Sequence, residues 1–101
     1  MRKIVLLCSV GVSTSILMQK MQEEADRQGY ACTIRAYPIS QADEAVSTAG
    51  VILMAPQSGH AIAELQVKYP NVPSTVIPQK LYASMDAVEI LDLAQKVSGD
   101  Y

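Results

Sequence analysis

The stretch IVLLCSVGVSTSILM, residues 4–18, changes character twice. A branched apolar run stops at a cysteine, and small, mostly polar residues then fill the chain until apolar residues resume at Ile16. Residues 3–7 are apolar almost without interruption, as expected of a strand covered on both faces. Beyond the small residues, Leu17, Met18, Met21 and Ala25 recur at the spacing of one helix face, and Gly29 supplies a C-cap. Strand, turn and helix in that order open an α/β fold, with Cys8 at the junction.

The same alternation continues. In ACTIRAY, residues 31–37, Cys32, Ile34 and Ala36 alternate with Thr33, Arg35 and Tyr37, which predicts a strand with one wetter face, at a sheet edge. VILMA from Val51 is a wholly apolar third strand, and STVI from Ser74 a short fourth. Ala42, Ala45, Val46 and Ala49 mark a second helix, with Ser40 and Asp43 as its capping box. Ile62, Leu65 and Tyr69 mark a third, stopped by Pro70. Ala87, Leu91 and Ala94 mark a fourth, opened near Asp86. The expected fold is α/β: a single-domain, four-stranded parallel sheet with helices on both faces and right-handed crossovers, spanning residues 1–101. In such sheets ligands bind beyond the carboxyl ends of the strands, where the strand order reverses beside the first strand. Cys8 lies at that end.

Composition narrows the function. Of 101 residues half are hydrophobic and 18% charged, which argues against disorder, and no run approaches the roughly 18 apolar residues a membrane helix needs. The opening MRKIVLLCSV is interrupted by polar residues before it can serve as a signal peptide, so the expected location is cytoplasmic. A net charge of -2 with scattered basic residues argues against nucleic acid. Cys8 and Cys32 fall at opposite ends of neighbouring strands. Some five residues at roughly 3.3 Å each exceed the roughly 7 Å reach of a disulfide. Met18, Met21 and Met54 fall at core spacings, and no His/Cys/acidic spacing, G-x-G-x-x-G or Walker sequence calls for a metal or cofactor.

Three strands run into prolines, Pro38, Pro56 and Pro78, each lacking a backbone N–H. The first does the opposite. From Cys8 through Ser9, Val10, Gly11, Val12, Ser13, Thr14 and Ser15 every N–H is kept, Gly11 permits the positive φ of a sharp turn, and three hydroxyls stand where a helix begins. Successive N–H groups and the helix dipole suit a phosphate or a thiolate, and the thiolate is the nucleophilic form of a cysteine. A cysteine ending a buried strand is by itself more often a small core residue, and glycine with hydroxyls also serves ordinary turns. Taken together, the kept N–H groups and the place at the strand end favour function.

CSVGVSTSILM closely resembles the phosphocysteine loop, Cys-Ser-x-Gly-Met-Ser-Thr-Ser, of enzyme IIB components of the bacterial sugar phosphotransferase system, in the lactose/cellobiose (chitobiose) family. LMAPQ, residues 53–57, looks like that family's third-strand ending, and LYASMD, residues 81–86, like its YGxMD segment. Val12 stands where methionine is usual, His60 where tyrosine is frequent, Pro78 where an aspartate is familiar, and Ala83 where glycine is. The resemblance implies a phosphotransferase in which Cys8 accepts phosphate from a phosphohistidine of a IIA carrier. It then passes the group to a sugar, a β-linked disaccharide or a related one, entering through a membrane-embedded IIC permease. Residues Ser9 to Ser15 would hold the phosphate. From the strand assignments, Gln57 and Tyr82 would share the rim, as partner contacts or as turn packing, and the chain alone would be monomeric. His60 reads as a solvated helix-start residue.

Two other readings stand beside this one. A low-molecular-weight tyrosine-phosphatase-like hydrolase places arginine after five residues from its cysteine. Thr14 occupies that position here, so the fork of donors that stabilises a phosphoryl dianion is missing. A non-enzymatic module that binds an anion or a protein is the third reading.

Overall fold

The computed structural model describes residues 2–8, 11–47 and 49–99, and in residues 11–14 the backbone alone. Strand β1 (Arg2–Cys8) leads to α1 (Gly11–Gln28), β2 (Cys32–Pro38), α2 (Ala42–Val46), β3 (Val51–Met54), α3 (Ile62–Lys68), β4 (Ser74–Val76), α4 (Gln79–Ser84) and α5 (Ala87–Ser98). Short 3-10 segments, Ile39–Gln41 and Pro56–Ala61, precede α2 and α3. The sheet is four-stranded in the order β2-β1-β3-β4, and every pair is parallel.

Strand period and sheet topology explain the burial. Ile4, Leu6 and Cys8 of β1, with Val51 and Leu53 of β3, face one core with Leu17, Met21 and Ala25 of α1 and Ile90, Leu91 and Ala94 of α5. Val5 and Leu7, with Ile52 and Met54, face a second core under Ala45 and Val46 of α2 and Leu65 of α3. The two central strands are therefore apolar throughout, each fully buried Leu or Ile contributing about 1.5–3 kcal/mol. Edge strand β2 keeps the expected alternation, with Cys32 and Ile34 buried and Arg35 exposed.

Helix ends follow local chemistry. Gly29, at φ 71°, ends α1 in a Schellman arrangement: Tyr30 N–H bonds to the Ala25 carbonyl at 2.9 Å and Gly29 N–H to that of Asp26 at 3.2 Å. Asp86 caps α5 by accepting from Glu89 N–H at 3.2 Å. The capping box expected for the second helix does not form. The 3-10 turn occupies Ser40, the N-cap is Gln41 with no side-chain bond, and the Asp43 carboxylate instead accepts from the Tyr69 hydroxyl and, at 2.9 Å, from Lys68 Nζ. Helix α2 also ends before Ala49, where the Ser47 hydroxyl turns back to the Glu44 carbonyl at 2.8 Å.

Helix α4 was not expected, since QKLYAS has too few apolar positions to show a helical period. Pro78 starts it as N-cap, and Met85 ends it at φ 51° in the left-handed region. The Met85 N–H bonds to the Tyr82 carbonyl at 3.1 Å, and the Asp86 N–H to that of Leu81 at 3.0 Å. Such a φ costs a non-glycine residue about 1 kcal/mol or more. The cost is met where α4 must turn directly into α5.

Candidate functional site

The strand order sets the location. Chain connections leave β1 to one side for β2 and cross back over it to β3, so the reversal lies between β1 and β3. Their C-terminal ends open the crevice in which doubly wound sheets bind ligands. Cys8 is the last residue of β1, in register with Pro38 of β2, and the Leu7 carbonyl beside it accepts from Ala55 N–H at 2.8 Å. Helix α1 begins at Gly11, so Gly11, Val12, Ser13, Thr14 and Ser15 belong to its first turns rather than to a separate loop. Gly11 stands there as the first helical residue, not as a separate sharp turn. Ser9 and Val10 lie outside the described residues, as do the side chains of residues 11–14. The first turn of α1 holds no acidic residue to oppose an anion.

Cys8 is only 4% exposed and packs with the core of α1 and α5. Its Sγ lies 3.7 Å from the hydroxyl of Tyr82, a hydrogen-bonding distance for sulfur between residues 74 positions apart. Tyr82 is 7% exposed. Helix α4 turns the phenol onto the sulfur at the carboxyl end of β1. Gln57 does stand exposed, in the 3-10 segment that follows β3, and His60 is exposed in the same segment. The sequence did carry a trace of Tyr82's placement in LYASMD, but only the unforeseen α4 reveals which way the tyrosine faces.

The second cysteine differs. Cys32 begins β2 at the opposite end of the sheet, in register with Arg2, and neither cysteine forms a disulfide. Burial, with the Asp26 carboxylate as a smaller contributor, pushes the Cys32 thiol up, away from the nucleophilic thiolate. A groove of about 200 Å³ on the other face of the sheet is floored by Met54 and Leu65 and rimmed by Asp43, Lys68 and Tyr69. Tyr69 first and Lys68 second hold the Asp43 carboxyl below the usual carboxylate range. Among the described residues, no helix is long and apolar enough to cross a membrane.

The chain resembles known proteins over nearly its whole length. Residues 3–93 match the family model described as PTS system, lactose/cellobiose specific IIB subunit. The chain is 34% identical over 96 residues to the oligo-beta-mannoside-specific EIIB component of the PTS system of Bacillus subtilis (strain 168), covering 93% of each. It is 31% identical over 101 residues to the galactose-specific EIIB component of Lactococcus lactis subsp. cremoris (strain MG1363), covering 93% of this chain and 94% of that one. The solution structure of the cellobiose-specific phosphotransferase IIB component protein from Borrelia burgdorferi superposes with a TM-score of 0.81. The identity there is 29%, over 98% of this chain and 93% of that one. The chain belongs to the lactose/cellobiose-specific IIB subunits of the sugar phosphotransferase system, phosphotransferases that pass phosphate to a sugar.

Proposed function

We propose that Cys8 is the residue on which this subunit carries phosphate. The observation that supports the reading most is the position of Cys8: it ends central strand β1 at the switch point, just before the N-terminus of α1. The first N–H groups of a helix have no intrahelical acceptor, and they converge where the phosphoryl oxygens would lie. In the inbound step the Cys8 thiolate attacks the phosphorus of a phosphohistidine on a IIA carrier. The S–P bond forms as the N–P bond breaks, and the electron pair returns to the imidazole. In the outbound step a sugar hydroxyl oxygen attacks the same phosphorus, its proton is released, and the pair of the S–P bond returns to sulfur.

Residues Ser9 to Ser15 hold the phosphoryl oxygens, and positioning and charge stabilisation carry the reaction without a cofactor. Gln57 belongs to the surface that meets IIA and the IIC permease, and the subunit acts as a monomer in the cytoplasm, at the inner face of the membrane when it meets IIC. The relatives' names support a carbohydrate acceptor of the β-linked disaccharide kind or a related sugar. Family membership favours a carrier over the hydrolase and the non-enzymatic module, and Thr14 in the arginine position favours the same choice.

The test is incubation with a phosphohistidine-bearing IIA component, followed by intact-mass measurement and peptide mapping. The expected result is one acid-sensitive phosphoryl group on Cys8 that is absent in Cys8→Ser. Equal labelling of that variant would overturn the reading.

A further inference from the structure

We infer that the Tyr82 hydroxyl is a second catalytic group, which stabilises the sulfur of Cys8 as it leaves phosphorus. The inference rests on the reading of Cys8 as the phosphoryl carrier. It starts from a buried phenol. Tyr82 belongs to the same largely apolar core cluster as Cys8, together with Ile77, and Leu81 and Met85 pack against that cluster. Burying a hydroxyl is costly unless it is hydrogen-bonded. The hydroxyl lies 3.7 Å from Sγ, inside the protein and on the atom that must gain and lose the phosphoryl group.

The backbone holds it there. Tyr82 N–H bonds to the Pro78 carbonyl at 3.0 Å, and the left-handed Met85 closes the other end of α4, so the ring is anchored on both sides in sequence. A neutral thiol is a weak acceptor, whereas a thiolate is a charged one and binds a donor roughly twice as strongly. The bond therefore strengthens with the charge that accumulates on sulfur as the S–P bond breaks. Tyr82 keeps its proton throughout: the pair of the S–P bond goes to Sγ, the phosphorus bonds to the incoming acceptor, and the phenol donates to the thiolate that results. This differential stabilisation is what accelerates a step, as opposed to uniform binding.

The experiment loads the full chain from phosphoimidazole as donor and then follows loss of the phosphoryl group to excess imidazole by intact mass. Tyr82→Phe is expected to carry its phosphoryl group on Cys8 and to discharge it about tenfold more slowly, a factor at the low end for loss of one hydrogen bond to a charged acceptor. Its thermal midpoint is measured alongside. A second variant covers the case of a misfolded Tyr82→Phe: fluorotyrosine at position 82, a more acidic donor of nearly the same shape, is expected to discharge faster than wild type, which packing alone does not predict. Wild-type discharge rates in Tyr82→Phe, or no acceleration with fluorotyrosine, would overturn the role of Tyr82 and leave Cys8 as the carrier. Failure of the wild-type chain to load at all, or loading of Cys8→Ser, would overturn the reading of Cys8 and this inference with it.

Discussion

Cys8 and Cys32 are close to a controlled comparison within one molecule. Both are strand cysteines facing the same core, 4% and 6% exposed, on adjacent parallel strands. They differ in which end of the sheet they occupy. Cys8 stands at the carboxyl end, before the N-terminus of a long helix and beside a phenol. Cys32 stands at the amino end, where burial and the nearby Asp26 carboxylate both oppose its ionisation. Burial alone therefore says little about a cysteine. The direction of the strand decides what surrounds it, because in a parallel sheet only one rim gathers helix N-termini.

The most direct way to break the comparison is to exchange each sulfur for oxygen. Cys8→Ser is expected to lose all stable phosphoryl incorporation from a phosphohistidine donor, while Cys32→Ser keeps the wild-type extent, read by intact mass. Labelling lost in Cys32→Ser with the fold intact would remove the distinction. A smaller effect sharpens the support behind Tyr82. Asp86→Ala removes the α5 cap next to the α4 turn and is expected to cost about 1 kcal/mol by urea unfolding. Its discharge of phosphate should also slow if that junction holds the phenol on sulfur.

The amino-end cysteine makes a pH prediction with a definite sign. Its thiol is pushed up in the folded state, so the folded protein holds the proton longer than the unfolded chain does. Its contribution to stability is complete below the ordinary thiol range and is lost as pH rises through the folded value. Cys32→Ala is expected to flatten that part of the profile, measured as urea unfolding free energy at increasing alkaline pH. The smallest effect belongs to the other face. Asp43 is held below its ordinary value by Tyr69 and Lys68, so its contribution is present above the unfolded value and fades as pH falls through the folded one. Asp43→Asn should slightly lower the thermal midpoint at neutral pH, lose that acid dependence, and leave transfer from Cys8 unchanged.

The parallel sheet was legible because its cause is local and periodic. Val5, Leu7, Ile52 and Met54 face one core and Ile4, Leu6, Val51 and Leu53 the other, and a strand covered on both faces can only be written as a continuous apolar run. The caps at Gly29 and Asp86 were legible for a similar reason, since each satisfies backbone groups within a few residues. Asp43 was misread as half of a capping box because a local partner, Ser40, looked sufficient. Its actual partners, Lys68 and Tyr69, are 25 and 26 residues away at the C-terminal end of the next helix. The contact of Tyr82 with Cys8 was not legible because α4 has no period to detect.

By itself the sequence determined the order of elements, the two-faced core, the cysteine at the end of the first strand and the family to which the chain belongs. Each of these is carried by residue type at short spacing. Only the tertiary structure decided which side chains meet across the chain: the phenol of Tyr82 against the sulfur of Cys8, and Asp43 against Tyr69. Such contacts depend on how helices settle on a twisted sheet, and a change of one helix start or one left-handed residue such as Met85 re-aims them. Their energies accrue between distant positions, so no local pattern has to record them.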